Sequence, residues 1–264
     1  MIANRFIVVL VLIGLGMSSS MAKSGSKFKA TPNWKETFNN KTDSVNTQKW
    51  SYHRDLRFLA EAPFKGWYRK AVYSDGRYLH LRVNPVDLDY GWYVLPMIST
   101  LDKRSFLYGK FEIRAKCPVE QGAWPAIWLA VCDLDSMNYG EIDVLEYAHC
   151  FEQKYYQANV HCVTQLEGKE LRKTHPQKVE TRVDDWHVYT LEWYPDKLVF
   201  FLDSEEVHRV NKDECSNWPF DQRYYLIFNV SFAVGWGATC GYDPKALPVE
   251  MLVDWVKYYP LRVK

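Results

Sequence analysis

The chain carries almost no net charge. Its 264 residues include 33 lysines and arginines against 32 aspartates and glutamates, which gives a formal net charge of +1. A balanced composition creates no long-range electrostatic field that would gather nucleic acid or an anionic membrane surface. We therefore expect neither nucleic acid nor a charged membrane surface as a partner.

Long apolar runs are missing except at the N-terminus. Arg5 precedes an apolar run from Phe6 to Met17, and the small residues Ser20 and Ala22 then form a cleavage pattern. The run is shorter than the roughly 20 residues that a membrane-spanning helix requires, which disfavours the alternative of an N-terminal anchor helix. We expect a cleavable signal peptide over 1–22, a single domain over 23–264, and a secreted or periplasmic protein with no membrane span after cleavage.

Closely spaced cysteine pairs of the C-x-x-C type are also absent, which argues against a zinc site. Six cysteines follow the predicted signal peptide, namely Cys117, Cys132, Cys150, Cys162, Cys215 and Cys240. An even number is typical of disulfide-bonded secreted proteins, although buried free thiols are common in a domain of this size. Cys150 and Cys162 are candidates for a bond between neighbouring strands.

Repeats, heptads and long amphipathic helical patterns are missing as well. Apolar and polar residues alternate instead with the period of two that β-strands have. The predicted strands are Tyr78–Val83, Lys110–Lys116, Trp186–Trp193, Lys197–Asp203, Tyr224–Phe232 and Glu250–Tyr259, and a turn is predicted over Tyr194–Lys197. This pattern predicts an all-β chain folded as a sandwich of two antiparallel sheets, in which one curved sheet offers a concave cleft.

Three acids lie close together in Gly140-Glu141-Ile142-Asp143-Val144-Leu145-Glu146-Tyr147, among residues that favour a buried strand. In a regular strand Glu141 and Asp143 share a face, whereas Glu146 points the other way. A β-bulge at Val144–Leu145 returns Glu146 to the first face. If the two glutamate side chains lean toward each other, their carboxyl groups can come within about 5–5.5 Å, which is the separation found in retaining glycosidases.

This segment resembles the bulged E-[IL]-D-x-x-E signature of glycoside hydrolase family 16. Three other stretches resemble the same family in the same order, namely YGKFEIRAK over 108–116, GAWPAIWL over 122–129 and VDWVKY over 253–258. The resemblance runs from Trp34 to the C-terminus. It implies a concanavalin-like jelly-roll sandwich and a retaining, endo-acting hydrolase of β-linked polysaccharide, with no cofactor in catalysis.

The same resemblance implies roles for the three acids. Glu141 is expected to be the nucleophile, and Glu146 the general acid and base. Asp143 lies between them, where its charge and hydrogen bonds would keep one glutamate ionised and the other protonated. The alternative for Asp143 is a purely structural hydrogen-bonding role.

Four further residues are candidates for substrate binding. Trp124 and Trp128 are four apart and share a face of a strand, where they would stack on sugar rings; the alternative is packing in the core. His161, on the following strand, is expected to bind a catalytic carboxylate or a substrate hydroxyl, although a structural role is an equal alternative. Trp236 lies in a predicted flexible loop and is a candidate wall of the cleft.

The resemblance also implies one structural calcium ion away from the catalytic acids. Its ligands would map onto Asp254, the carbonyl oxygen of Gly76 and the region 36–38. Oxygen ligands from separate segments suit Ca²⁺, although a chain without any metal is an equal alternative.

The substrate remains open between related classes. A β-1,3-glucan or a mixed β-1,3/1,4-glucan is the first expectation, and a β-galactan (agar, porphyran, carrageenan or a host glycan) is the alternative with the same fold and mechanism. The segment Tyr90-Gly91-Trp92 departs from the glucanase pattern. A non-catalytic carbohydrate-binding sandwich is a third alternative, which the intact acids disfavour. Loops 54–70, 87–93 and 235–248 are expected to select the substrate, and we expect a monomer.

Overall fold

The computed structural model of the chain describes residues 27–52, 71–85, 93, 95–132, 138–151, 153–166, 169–215, 217–239 and 241–262. The predicted signal peptide lies outside these residues, as do loop 54–70 and most of loop 87–93. In the described ranges strands dominate, and none of the helices there is long and apolar enough to cross a membrane.

The first of two sheets contains eight strands within the described residues, and all of its pairs are antiparallel. Across the sheet, the strands are β14 (Glu205–Asn211), β13 (Lys197–Leu202), β12 (His187–Trp193), β6 (Gly109–Lys116), β16 (Val249–Tyr259), β4 (Leu79–Val83) and β3 (Val72–Ser74), and β1 (Trp34–Glu36) also pairs with β16. Because β16 is eleven residues long, it accommodates β4 along one half and β1 along the other.

The second sheet also has eight described strands in antiparallel pairs. In order they are β10 (Lys169–Thr174), β9 (Tyr155–Leu166), β8 (Asn138–Glu146), β7 (Ala123–Val131), β15 (Tyr224–Phe232), β5 (Met97–Ser99) and β2 (Ser51–Tyr52), and β11 (Gln177–Glu180) also pairs with β9. The three acids of the 140–147 segment therefore lie on β8, between β7 and β9 and near the middle of this sheet.

Helical structure is confined to short pieces in the described part of the chain. One α-helix covers Gly235–Thr239, and single 3₁₀ turns cover His149–Phe151, Lys212–Glu214 and Pro244–Ala246. These pieces connect strands and contribute little to the core. The predicted all-β sandwich is confirmed.

The strand predictions agree with the structure to within one residue at each end, and Tyr224–Phe232 has the predicted bounds. Alternation explains this agreement: along β6 the side chains of Phe111, Ile113 and Ala115 are fully buried, and those between them are partly exposed. The predicted turn before β13 is also present, since the Tyr194 amide donates to the Lys197 carbonyl oxygen at 2.9 Å.

The core fills the space between the sheets. Phe111 and Ile113 of the first sheet and Ile127 and Leu129 of the second all have no exposed surface. Burying such a side chain contributes about 1.5–3 kcal/mol to folding. Strand β15 is buried on both faces along most of its length, because the main core covers one face and a second apolar cluster that includes Ala130 and Trp128 covers the other.

The two ends of the described chain lie side by side. Phe28 and Leu261 form an antiparallel bridge, and the Arg262 amide donates to the Lys27 carbonyl oxygen at 2.8 Å. A few residues further along, Trp34 of β1 pairs with Tyr258 of β16. Both ends therefore join the first sheet, not the sheet that carries the three acids.

The cysteines differ from the expected pairing. Cys150 is disulfide-bonded, but Cys117, Cys132, Cys162 and Cys215 are free, so a bond between Cys150 and Cys162 is wrong. The physical reason is local: Cys150 lies in the 3₁₀ turn after β8, not on a strand beside β9. Its partner therefore lies outside the described residues.

Candidate active site

Strand β8 is irregular where the acids lie. Against β9, Asp143 pairs with Asn159 and Glu146 pairs with Gln157, so two residues of β8 face one residue of β9. The register of β8 against β7 shifts at the same point. Two residues opposite one is what defines a β-bulge. The predicted bulge is confirmed.

The bulge separates the acids from their apolar neighbours. Val144 and Leu145 are at most 2% exposed and pack into the core. On the face of the sheet away from the core, Glu141 and Asp143 both lie close to His161 of the neighbouring strand β9. The charges of both acids raise the pKa of Glu146. All three acids therefore share the face of β8 that points away from the core.

Glu141 is the more accessible of the two acids that face the histidine, with 26% of its side chain exposed. The Tyr139 hydroxyl donates a hydrogen bond to Glu141 Oε2 at 3.1 Å, and His161 Nε2 lies 3.6 Å from Oε1. Burial and the charge of Glu141 raise the pKa of Tyr139, so its hydroxyl keeps the proton that it donates. These contacts orient the carboxylate, which stays partly exposed to solvent.

Asp143 is the most buried of the three acids, with 4% of its surface exposed. Its Oδ2 lies 3.1 Å from His161 Nε2. Burial raises the pKa of Asp143, and the contact with His161 opposes that shift. Burial lowers the pKa of His161, but Asp143 and the two glutamate charges outweigh burial and raise it.

Glu146 has the environment of a carboxylic acid that keeps its proton. Burial, followed by the charge of Asp143, raises its pKa to about 8. The Trp124 indole N–H, which donates to Glu146 Oε1 at 2.9 Å, opposes the shift. At neutral pH most molecules therefore carry a proton on Glu146.

An aromatic group stands beside Glu146. The ring of Trp236 lies 6.2 Å from that of Trp124 and 5.6 Å from that of Phe151. The predicted flexible loop at Trp236 is wrong, because the residue lies in the helix Gly235–Thr239 and packs against this group. Gly235 permits the approach: its φ is +49°, and a Cβ there would lie 2.0 Å from the Trp124 ring.

Trp128 lies on the same face of β7 as Trp124, and it pairs in register with Asp143, the middle acid. Its indole N–H donates to Asn229 Oδ1 at 2.8 Å, and the ring packs on an apolar floor formed by Ala130, Tyr225 and Ile227. Half-buried in this way, Trp128 is packed against the outer face of the second sheet and not in the main core. The predicted face is confirmed.

Three neighbours of the acids were not predicted from the sequence: Tyr139, Asn159 and Asn229. Asn159 Nδ2 lies 3.0 Å from His161 Nε2, and its Oδ1 accepts the His175 amide at 3.1 Å. Tyr139 and Asn159 each lie two residues before a predicted site residue on the same strand, so the period of two was a usable signal. Asn229 reaches the site from β15, and no local pattern indicates it.

The residues of the predicted calcium site lie in the first sheet and its turns. The Asp254 carboxylate binds the Arg114 guanidinium at 2.5 Å, and the Glu36 carboxylate lies 3.0 Å from Lys49 Nζ. Gly76 lies in the turn between β3 and β4, with a φ of +95°. Because cations already neutralise both carboxylates, these side chains as placed fit Ca²⁺ poorly.

The sandwich and its row of acids define a class of protein. Paired carboxyl groups on one face, one of them protonated at neutral pH, are the groups that hydrolyse glycosidic bonds. The model of Glycosyl hydrolases family 16 matches residues 64–257, and the chain belongs to that family. It is therefore a glycoside hydrolase, and the hydrolases of this family need no cofactor for catalysis.

Known relatives agree with this assignment. A beta-glucanase from Rhodothermus marinus is 27% identical over 94% of this chain and 91% of its own length. A keratan-sulfate endo-1,4-beta-galactosidase from Sphingobacterium multivorum is 30% identical over 86% of this chain, which spans 54% of that protein.

Solved structures show the same architecture. The laminarinase from Rhodothermus marinus superimposes with a TM-score of 0.71 at 27% identity, covering 89% of this chain and 99% of that one. SCLam, described as a non-specific endo-beta-1,3(4)-glucanase, superimposes with a TM-score of 0.72 at 26% identity, covering 90% and 93%. The predicted jelly-roll sandwich is confirmed.

Proposed function

We propose that the chain is a retaining endo-β-glycosidase in which Glu141 is the nucleophile and Glu146 is the general acid and base. The observation that carries this proposal is the bulge in β8, which puts both glutamates on one face. The raised pKa of Glu146, about 8, supports its role as the acid. The hydroxyl of Tyr139, which orients Glu141, supports the role of that residue as the attacking carboxylate.

The proposed reaction has two displacements. Glu141 attacks the anomeric carbon while Glu146 gives its proton to the departing glycosidic oxygen, and a glycosyl ester forms on Glu141. Glu146, now ionised, removes a proton from a water molecule, which attacks the same carbon and releases Glu141. The charge on Asp143 favours return of the proton to Glu146, which readies the site for another cycle.

Asp143 and His161 act as a pair in this proposal. Their contact at 3.1 Å lies beneath the two glutamates, and His161 also lies within 3.6 Å of Glu141. When the glycosyl ester forms, the negative charge moves from Glu141 to Glu146, and the total charge of the site stays the same. The charges of both glutamates act on His161, so the pair stays close to the negative charge before and after the ester forms.

Three tryptophans are proposed to bind the sugar chain. Trp124 and Trp236 lie together beside Glu146, where they would receive the leaving-group side of the polysaccharide. Trp128 lies on the apolar floor, close in register to Asp143. Flat aromatic faces suit the C–H faces of pyranose rings.

A β-1,3-glucan or a mixed β-1,3/1,4-glucan is the proposed substrate. Support comes from the beta-glucanase that matches over 94% of this chain and from the laminarinase and endo-beta-1,3(4)-glucanase structures. A β-galactan is the second candidate, since the keratan-sulfate endo-1,4-beta-galactosidase reaches 30% identity, which is above the beta-glucanase value.

A substrate panel tests both candidates. Release of reducing ends is measured on laminarin, mixed-linkage glucan, agarose, porphyran, carrageenan and keratan sulfate. We expect oligosaccharides of several lengths from a glucan, at a rate at least about tenfold above that on any galactan. Activity confined to a galactan would select the second candidate.

Two matched variants show whether the measured activity depends on the proposed nucleophile. Glu141→Gln should abolish release on the preferred substrate, whereas Glu205→Gln makes the same chemical change at an exposed position of β14 and should leave the rate unchanged. Folded wild-type protein that binds these glycans but releases no ends would leave only the carbohydrate-binding alternative.

We also propose that residues 1–22 are a signal peptide and that 23–264 form one secreted or periplasmic domain that acts as a monomer. N-terminal sequencing of the exported protein should start at Lys23, and light scattering should give the mass of one mature chain. A start before residue 10, or a dimer mass, would contradict these proposals.

The calcium site at Asp254 and Gly76 stays a prediction. Bound calcium would have to compete with Arg114 for the Asp254 carboxylate. Titration calorimetry of EDTA-treated protein with Ca²⁺ tests the site, and Asp254→Asn should remove the heat of binding. Absence of a binding heat in the wild type would contradict the prediction.

A further inference from the structure

Two buried thiols meet on the core side of β9. Cys162 lies next to His161 in that strand and therefore points to the opposite face. Cys215 follows the 3₁₀ turn Lys212–Glu214 at the end of β14, in the other sheet. Their sulfur atoms are 3.3 Å apart, and each residue is at most 8% exposed. The contact joins the two sheets near one edge of the sandwich.

We infer that Cys162 and Cys215 form a disulfide bond between the two sheets when the protein meets an oxidising environment. A disulfide places its sulfurs about 2.05 Å apart, so an approach of about 1.3 Å completes the bond. Side-chain rotation supplies such a movement within a contact that already exists. Cys150 shows that this chain carries disulfide bonds.

Groups around Cys215 suit it to react first. His175 Nε2 lies 3.5 Å from its sulfur. The hydrogen bond from the Cys162 thiol, followed by the charge of Lys173, lowers the pKa of Cys215. The thiolate is the reactive form, so Cys215 is the attacking group and Cys162 the resolving one.

The oxidant is a small-molecule disulfide, R–S–S–R. The Cys215 thiolate attacks one of its sulfurs and expels one thiolate, which takes up the proton lost by Cys215. Cys162 then loses its proton and attacks the sulfur of Cys215 in the mixed disulfide, and the second thiolate that leaves takes up that proton. The sum is two protein thiols and one small disulfide converted into one protein disulfide and two small thiols.

A metal site is the competing interpretation of the same residues. Cys162, Cys215 and His175 offer ligand atoms within 4.8 Å of one another, and thiolate with imidazole suits zinc. However, two thiolates bound to tetrahedral zinc through bonds of about 2.3 Å lie about 3.8 Å apart. The observed 3.3 Å is shorter, which favours a bond between the sulfurs.

Peptide mapping tests the inference. Trypsin releases Cys162 in fragment 155–169 and Cys215 in fragment 213–223, and each fragment contains one cysteine. The full chain is equilibrated with oxidised glutathione, denatured with iodoacetamide and digested. We expect the two fragments joined, at the sum of their masses less two hydrogens, and separate after reduction.

Two outcomes would overturn the inference. In one, both fragments carry the alkyl label after oxidation, which means that the thiols never joined. In the other, native mass spectrometry of the chain with added zinc shows one bound ion that His175→Ala removes, and that ion protects both thiols from oxidation. Cys162→Ala is the control for the mapping, because fragment 213–223 must then appear unjoined to 155–169.

Discussion

At the scale of single residues, the proton on Glu146 is set by two opposing neighbours. The Asp143 charge raises its pKa, and the Trp124 indole N–H lowers it by stabilising the ionised carboxylate. Burial adds the largest raising contribution, and the result is about 8. The site thus holds an acid that titrates just above neutrality, which suits an acid that must also serve as a base.

Removing either neighbour of Glu146 should shift the alkaline side of the pH profile of kcat/KM, and the two shifts should be in opposite directions. In wild type, kcat/KM should fall as the pH rises through about 8, because Glu146 loses its proton. Trp124→Phe removes the stabilising donor and should move the limb up by about half a pH unit or more. Asp143→Asn removes the opposing charge and should move it down by a similar amount. Profiles of kcat/KM from pH 5 to 10 measure both shifts, and movement in one direction by both variants would refute the account.

The two glutamates should be individually indispensable. Glu141→Gln and Glu146→Gln each remove a group that both displacements need, and each should lower kcat by at least about 10³-fold. Circular dichroism should show an unchanged fold, since both side chains point away from the core and Gln has nearly the same size and shape as Glu. Azide should restore turnover to Glu141→Ala, whose short side chain leaves room for it, with inverted product, and near-normal activity in Glu141→Gln or Glu146→Gln would remove that residue from its assigned role.

At the scale of elements, the bulge and the helix beside it determine which side chains reach the site. The bulge allows one strand to present three acids outward while Val144 and Leu145 stay in the core. The helix Gly235–Thr239 brings Trp236 against Trp124 through a glycine contact. The bulge thus places the acids, and the helix places an aromatic ring beside them.

Removing one residue from the bulge should damage both packing and catalysis. Deleting Leu145 leaves Glu-Ile-Asp-Val-Glu and pulls Glu146 one residue back along β8, while β7 and β9 keep the shape that fits the extra residue. We expect a melting temperature several degrees lower and loss of most activity. Differential scanning fluorimetry and the reducing-end assay measure both, and an unchanged value of either would contradict this role of the bulge.

The sequence predicted those features of the fold and of the site that depend on residues close together in the chain. Alternation located the strands and the face of Glu141 and Asp143, since a period of two is visible within a few residues. The spacing from Asp143 to Glu146 requires a bulge, which could also be predicted from the sequence. Asn229 was not, because its position beside Trp128 depends on the register between β7 and β15, which lie about a hundred residues apart. The contact between Cys162 and Cys215 was hidden for the same reason.

At the scale of the whole molecule, the arrangement of the acids lowers stability. A carboxyl group whose pKa is raised by folding destabilises the native state wherever the unfolded chain would ionise it. For Glu146 this cost begins near its ordinary value of 4.5, grows as the pH rises, and is complete above about 8. The proposed role of Glu146 as the general acid explains this cost, because that role requires the proton.

Because ionisation of Glu146 destabilises the native state, a variant that cannot ionise at this position should be more stable and inactive. Glu146→Gln cannot ionise, so its melting temperature should exceed that of wild type by roughly 2–4 °C at pH 8.5 and by less at pH 5. Thermal melts at the two pH values measure the difference, with the exposed Glu205→Gln as a control that should show no such dependence. An equal difference in melting temperature at both pH values would show that ionisation of Glu146 does not destabilise the native state.

The whole reaction should proceed with retention of configuration. Both glutamates lie on one strand, and their expected separation of about 5–5.5 Å leaves no room for the water that an inverting enzyme places between its acids. Proton NMR in the first minutes of hydrolysis should show the β-anomer of the new reducing end before mutarotation. An initial α-anomer would require different roles for the two residues.

The meeting of the chain ends has a mechanical consequence. Because Phe28 bridges Leu261 and β1 runs antiparallel to β16 from that end, a force that pulls the two ends apart loads the hydrogen bonds one after another. Such a load opens a β-pair like a zipper, at lower force than one that shears all the bonds together. Tension on the molecule would therefore peel β1 from the first sheet before it reached β8.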